Sequence, residues 1–177
     1  AMTKKILAQG AIACQKQFNM KWLCVVPSTL YGPDYHLDGR QSHFIFDLVK
    51  KILKGKNLGE KVCLWGSGLQ KREIIHVNDF VHSLYLLNLK LSNEIVNIGA
   101  GKEYSIKKFA QKICKIVDFN EKNIVYDKSK YTGALNKKLS IRKISKILPN
   151  YKSFLTPVDQ GLKEVVQWFE KNKFYLK

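Results

Sequence analysis

Apolar residues recur along this chain in two alternating rhythms, a helical spacing and a short continuous run. Met2–Gln17 carries Ile6, Ala13 and other apolar residues at helical spacing, which predicts a helix. Trp22–Val26 (Trp-Leu-Cys-Val-Val) is a continuous apolar run ended by Pro27, the pattern of a strand buried on both faces of a parallel sheet. Pro27–Gln41 is rich in Pro, Gly, Ser, Asp and Tyr and reads as a loop. Loops at the carboxyl ends of parallel strands are where open α/β sheets bind ligands. Ser42 is placed to cap a helix to about Lys54, with Phe44, Ile45, Leu48 and Ile52 on its apolar side and Gly55 as its stop. Val62–Trp65 predicts a strand, Gly66-Ser67-Gly68 a tight turn and Glu73–His76 another strand, after which Asn78 or Asp79 caps a helix over 80–89. Glu94–Ile98 reads as a strand that ends in Gly99-Ala100-Gly101. Ser105 caps a helix to Val117 with Ile106, Phe109, Ile113 and Ile116 at helical spacing. Ile124–Tyr126 is a further strand, and Ser140 starts a short helix that Pro149 ends. Thr156 caps a final helix to about Asn172, with Pro157 at its first position. Strands alternating with helices place the chain in the α/β class.

Composition narrows the class. With 177 residues, 45% hydrophobic and 11% aromatic, the chain can bury a globular core. No apolar run approaches the roughly 18 residues of a membrane span, and no sustained apolar stretch follows Lys4-Lys5 as it would in a secretory signal. A soluble, cytoplasmic protein with no membrane partner is expected. The four cysteines, Cys14, Cys24, Cys63 and Cys114, lie in apolar stretches without CxxC or zinc-finger spacing and read as buried free thiols. Asp34 and Asp38 complete no ligand set, so no metal is expected. A net charge of +17 asks for an anionic partner. The lysines are spread along the chain and do not alternate with aromatic residues at one place, so nucleic acid is not the expected one. The glycine fingerprint of a dinucleotide-binding half is not among these residues: Gly66-Ser67-Gly68 opens no helix, and Gly99-Ala100-Gly101 runs into Lys102-Glu103-Tyr104.

Five segments in order carry a family resemblance. Pro27-Ser28-Thr29-Leu30-Tyr31-Gly32-Pro33 is similar to the P-x-N/T-L-Y-G-P segment of extended short-chain dehydrogenases. Ser42-His43-Phe44-Ile45 follows at the distance found in the GDP-L-fucose synthase branch. Trp65-Gly66-Ser67-Gly68, then Arg72-Glu73, then His76-Val77-Asn78-Asp79 resemble that branch's W-G-S-G…R-E-F-x-H-V-D-D. Asn97-Ile98-Gly99-Ala100-Gly101 resembles N-I-G-x-G, and Val166-Gln167-Trp168-Phe169 the usual closing helix. The chain thus resembles the C-terminal portion of an NAD(P)-dependent epimerase/dehydratase. The implied fold is α/β: residues 1–35 form the tail end of a Rossmann domain, and 36–177 a substrate-binding domain interleaved with the closing strands of the parallel sheet.

What the resemblance implies for chemistry follows residue by residue. Lys4 matches the lysine of the family's Y-x-x-x-K, which holds the cofactor ribose and favours the phenolate of a tyrosine; that tyrosine precedes the matching stretch. Pro27, Ser28, Thr29 and Leu30 match the segment that lines the nicotinamide through backbone groups, with Thr29 in place of the usual Asn. His43 matches a histidine that contacts the cofactor and serves as general acid, a role suited to imidazole. Lys51 stands at the place of a substrate-binding arginine, keeping the charge without the bidentate fork. Trp65 and Arg72 match residues that hold the nucleoside diphosphate, by stacking and by forking onto pyrophosphate; the plainer readings are core packing for Trp65 and a surface ion pair for Arg72. Asp127-Lys128-Ser129-Lys130-Tyr131-Thr132-Gly133 resembles D-x-S-K-P-D-G, with Thr132 replacing an acidic residue that contacts substrate, and Lys137 keeps a basic position. Asp79 reads as a helix cap, His76 and His82 as structural. The implied activity is NADP-dependent epimerisation and reduction of a GDP-linked 4-keto-6-deoxy sugar. The alternatives are an NAD-dependent nucleotide-sugar 4-epimerase or 4,6-dehydratase, and a non-catalytic or nucleic-acid-binding module. NADP or NAD is expected to bind only with an N-terminal half, the chain alone is expected to be inactive, and a homodimer or pairing with such a half is expected.

Overall fold

The computed structural model describes residues 2–36 and 42–173. In chain order the elements are α1 (Met2–Phe18), β1 (Leu23–Pro27), β2 (Thr29–Tyr31), α2 (Phe44–Leu58), β3 (Val62–Trp65), β4 (Lys71–Arg72), β5 (Ile74–His76), α3 (Val77–Asn88), β6 (Glu94–Ile98), β7 (Tyr104–Ser105), α4 (Ile106–Val117), β8 (Ile124–Asp127), α5 (Arg142–Ile147) and α6 (Val158–Lys171). Three pairs are parallel: β1 with β6, β2 with β5, and β3 with β8. Among the described residues only β4 and β7 run antiparallel. The apolar run after Trp22 is a parallel strand in register with Glu94–Ile98, but it is not the buried strand its pattern predicts: with one paired edge among the described residues, Leu23, Cys24 and Val25 are half-buried and Val26 and Pro27 exposed. Among the described residues β1 and β6 pair only with each other, which leaves each one free edge.

Two cores flank β5. Its successive residues point to opposite faces, so Ile74 joins one core and Ile75 the other. The first is built from the apolar stripes of α2, α4 and α6, with Ile45, Ile52, Phe109, Ile113, Val165 and Phe169 all fully buried. The second packs Val96 and Ile98 of β6 against Leu87 of α3, Ile144 of α5 and Tyr151. By contrast α1 buries no residue, and its Met2, Ile6 and Leu7 are exposed.

Several local expectations are revised by contacts distant in sequence. Thr29–Tyr31, inside the expected loop, is a strand because Ile74–His76 supplies its ladder. The loop residues 37–41, with Asp38, lie outside the described residues. α2 is capped at His43, not Ser42, with no side-chain bond. It runs through Gly55, whose missing side chain admits Val62 of β3, and stops at Gly59 in the left-handed conformation, φ 67°. The cap of α3 is His76, whose Nδ1 accepts from the Asn78 amide at 3.4 Å. Asp79 instead accepts from the Thr156 amide at 2.7 Å and the Thr156 hydroxyl at 2.8 Å, tying the approach to α6 onto α3. Thr156 is thereby unavailable as a cap, and α6 starts from Pro157 without one. The short helix near Ser140 begins at Arg142 with no side-chain cap. Of the cysteines, Cys114 is buried, Cys14 and Cys24 are half-buried, and Cys63 is exposed, because it lies on the outer face of β3.

One buried acid organises the chain between the two cores. Glu73, 2% exposed, accepts from the Gly101 amide at 2.6 Å and the Leu139 amide at 2.7 Å. Its carboxylate also fills the space beside Gly99. A single side chain so fixes the Gly99–Gly101 turn and the start of the segment leading into α5. Replacing Glu73 with Ala is expected to cost about 2–4 kcal/mol, because two backbone amides lose a charged acceptor. Urea denaturation of the purified variant measures this; an unshifted midpoint would show that the carboxylate is not the anchor.

Candidate functional site

The site starts from the alternation of β3. Val62 and Leu64 point into the core, so Cys63 and Trp65 point out, and the Trp65 ring is 59% exposed. Core packing is therefore not its role. After Trp65 the chain must turn sharply. Gly66 and Gly68 take positive φ of 80° and 73°, and a Cβ on either would overlap a neighbour, Thr132 at the first and Tyr126 at the second. The turn is then clamped by the start of α4. Ile106 donates its amide to Gln70 O at 3.0 Å and Lys107 to Gly68 O at 2.9 Å, while Lys108 donates to the Ser105 hydroxyl at 3.1 Å. The first three amides of α4 are thus all used internally.

Opposite the turn runs the segment that leaves β8. Asp127 opens it, its Oδ1 accepting from the Ser129 amide at 3.0 Å and the Ser129 hydroxyl at 2.6 Å. Those two bonds hold its carboxyl below the usual carboxylate range. Gly66 donates its amide to Asp127 O at 2.7 Å, and Lys71 to Leu135 O at 2.7 Å, so the segment is stitched to the β3–β4 turn at both ends. Arg72 closes the middle. Its Nη1 donates to Lys71 O at 2.7 Å and Ala134 O at 2.8 Å, and its Nη2 to Thr132 O at 3.2 Å. Among the described residues Arg72 is neither a free fork nor a member of a surface ion pair. It is the tether of residues 132–134, with two N–H groups left over.

These elements enclose a cavity of about 720 Å³. Lys51, Trp65, Arg72 and Thr132, the four substrate-binding positions expected from the sequence, all line it. Lys51 lies 5.9 Å from the centre of the Trp65 ring and pairs with Asp47 at 2.8 Å, one helical turn earlier on α2. Asp47, the cavity's carboxylate, is therefore already neutralised. Thr132 turns its methyl group to Gly66 and gives its carbonyl to Arg72. Gln70 and Tyr131 also line the cavity and were not singled out by sequence reasoning. Neither carries a periodic signal; only the exposed aromatic at Tyr131, 89% accessible, hints at a role.

The expected cofactor positions lie elsewhere. None of Lys4, Pro27, Ser28, Thr29, Leu30 or His43 lines this cavity, although His43 sits between two residues that do, Ser42 and Phe44. Pro27 is the last residue of β1 and Ser28 continues the ladder, its amide donating to Ile98 O at 3.0 Å. The Ser28 hydroxyl is buried and has no partner among the described residues. Thr29 and Leu30 are half-buried in β2. His43 is exposed at the start of α2; its amide donates to the Tyr35 hydroxyl at 3.3 Å, and the two rings are 6.0 Å apart. Lys4 is exposed on α1. His76 is buried at 2% exposure, with Nε2 at 3.2 Å from the Glu164 carboxylate, and the exposed His82 stands edge-on to Phe154 at 4.8 Å.

Comparison with known proteins agrees with this architecture. The profile of the NAD dependent epimerase/dehydratase family matches residues 1–99. The chain is 31% identical over 169 residues to the probable GDP-L-fucose synthase 1 of Oryza sativa subsp. japonica, covering 92% of this chain and 50% of that protein. It is 28% identical over 169 residues to the GDP-L-fucose synthase of Escherichia coli (strain K12), covering 89% and 51%. The crystal structure of a GDP-L-fucose synthetase from Naegleria fowleri superposes with a TM-score of 0.84 at 26% identity, over 96% of this chain and 54% of that one. The UDP-glucose 4-epimerase of Thermotoga maritima, at 21% identity and a TM-score of 0.80 over 97% and 53%, shares the fold. The chain spans about half the length of the curated relatives it matches. With the family profile covering more than half its residues and the strand order, turn and cavity described above, the chain belongs to the NAD dependent epimerase/dehydratase family.

Proposed function

We propose that this chain is the substrate-binding part of a nucleotide-sugar epimerase/reductase of the GDP-L-fucose synthase kind, and that its cavity takes the nucleoside diphosphate of a GDP-linked sugar. The observation that carries this reading is the meeting of an exposed indole, an ammonium and a guanidinium in one cavity whose carboxylate is already paired. A purine stacks on the Trp65 face, and the pyrophosphate takes the Lys51 ammonium and the two spare N–H groups of Arg72. Thr132, on the tethered segment, sets the wall that the base meets. Residues 1–35 then belong to the nucleotide-binding domain and 36–177 to the substrate domain.

In this reading the cofactor, NADP or NAD, lies along Pro27, Ser28, Thr29 and Leu30, where the buried, unpartnered Ser28 hydroxyl offers a hydrogen bond. When bound, it supplies the hydride that reduces the sugar's keto carbon. Lys4 holds the ribose and stabilises a phenolate supplied by the N-terminal half. The exposed imidazole of His43 holds the proton delivered to the sugar ring. These groups lie on separate elements, so the chain by itself is expected to bind but not to turn over. The free edges of β1 and β6 and the exposed Met2, Ile6 and Leu7 support pairing with an N-terminal half or a second copy.

Calorimetry on the purified chain tests the reading with GDP, UDP and NADPH. GDP is expected to bind without NADPH, and Trp65→Ala to weaken it about five- to 150-fold, as expected for loss of about 1–3 kcal/mol of base stacking. If no nucleotide binds, the reading is wrong. Light scattering tests the pairing: the chain is expected to self-associate as concentration rises, and a monodisperse monomer at high concentration would contradict it.

A further inference from the structure

Among the described residues Gln70 is the one nearly buried polar side chain that lines the cavity. It is 7% exposed, yet only one end of its amide is used inside the protein: Nε2 donates to Trp65 O at 3.2 Å. A carbonyl accepts only from a donor, so this bond fixes which end of the amide is nitrogen. Oε1 is left without a partner among the described residues. Oε1 is not among the buried atoms left without a partner, so it is the accessible end of the amide, open to a donor from the cavity. The backbone cannot drift, because Gln70 O is held by the Ile106 amide and the adjoining Lys71 amide by Leu135 O. The amide is a rigid, half-used hydrogen-bonding edge in the same cavity as the exposed face of Trp65.

Two of the neighbouring acceptors in the cavity are already engaged. Asp47 is paired with Lys51, the Thr132 carbonyl with Arg72, and the Thr132 methyl with Gly66. A base lying on Trp65 turns its edge to the cavity wall, and an N–H on that edge needs an acceptor. We propose that Gln70 is a specificity-determining residue: its Oε1 accepts a hydrogen bond from the ring N–H of the bound nucleobase, with the remaining Nε2–H free to meet the neighbouring exocyclic oxygen. Guanine offers this pair at N1–H and O6. The inference rests on the proposed nucleoside diphosphate reading and adds to it the group that reads the base.

Three probes separate the two ideas by calorimetry on the full chain: GDP, GDP methylated at N1 of guanine, and inorganic pyrophosphate. The wild type is expected to prefer GDP over the methylated form about tenfold, the size of one lost hydrogen bond with its acceptor left bare. Gln70→Leu is expected to erase that preference while leaving pyrophosphate affinity within about twofold, since the phosphate groups are read by Lys51 and Arg72. A role that is only structural would weaken all three probes together. Gln70→Met, closer in volume, repeats the comparison if the leucine variant does not fold. Equal binding of the two GDP forms by the wild type, or a preference that survives both substitutions, overturns the role of Gln70. Failure of the wild type to bind any probe instead overturns the reading of the cavity, and this inference with it.

Discussion

The cavity exists because one guanidinium holds three carbonyl oxygens. Arg72 sits on a two-residue strand, and from there it reaches its own neighbour and across to Thr132 and Ala134. Without those bonds the Thr132 and Ala134 carbonyls have no partner among the described residues, and the stretch between the Asp127 and Leu135 stitches is held only at its ends. A planar fork with five donors can satisfy several carbonyls at once and still present N–H groups outward; an ammonium cannot match that geometry. The residue that builds the wall is also the one that offers charge to a phosphate, so shape and electrostatics in this cavity depend on the same group.

Everything that positions Arg72 follows from longer-range order. The parallel pair β3–β8 brings the Gly66–Gly68 turn and the Asp127 segment side by side, and the amides at the start of α4 fix the turn from behind. Glu73, the next residue along, turns inward and ties down the Gly99–Gly101 turn and Leu139. Adjacent residues thus divide the labour: Arg72 faces the cavity and Glu73 the interior. β5 then continues between the two cores, with Ile74 and Ile75 filling one each. A stable interior and a concave outer surface arise from the same short stretch of chain.

Features set by local rules were legible in the sequence. The strands at Leu23–Pro27 and Glu94–Ile98 and the Ser105 cap of α4 follow from apolar run length and from a hydroxyl at the right place. Features set by distant partners were not. Thr29–Tyr31 looks like loop until Ile74–His76 pairs with it, and Thr156 looks like a cap until Asp79, 77 residues earlier, claims its hydroxyl. Gly55 reads as a stop but is needed inside α2 because Val62 presses on it. At the site, family resemblance selected Lys51, Trp65, Arg72 and Thr132, which converge on one cavity. It carried residue types only, so the use of Arg72 as a tether, and the half-used amide of Gln70, emerge from coordinates alone.

The account is tested most directly by amide hydrogen exchange on Arg72→Lys beside the wild type, together with GDP titration of both. If the guanidinium builds the wall, the Lys71 and Gly66 amides, whose acceptors Leu135 O and Asp127 O flank the tethered residues 132–134, exchange faster in the variant without any ligand, and GDP affinity falls with them. Unchanged exchange at both amides alongside weakened GDP binding would mean that Arg72 serves the ligand alone. The cavity would then have to be held open by something other than this residue.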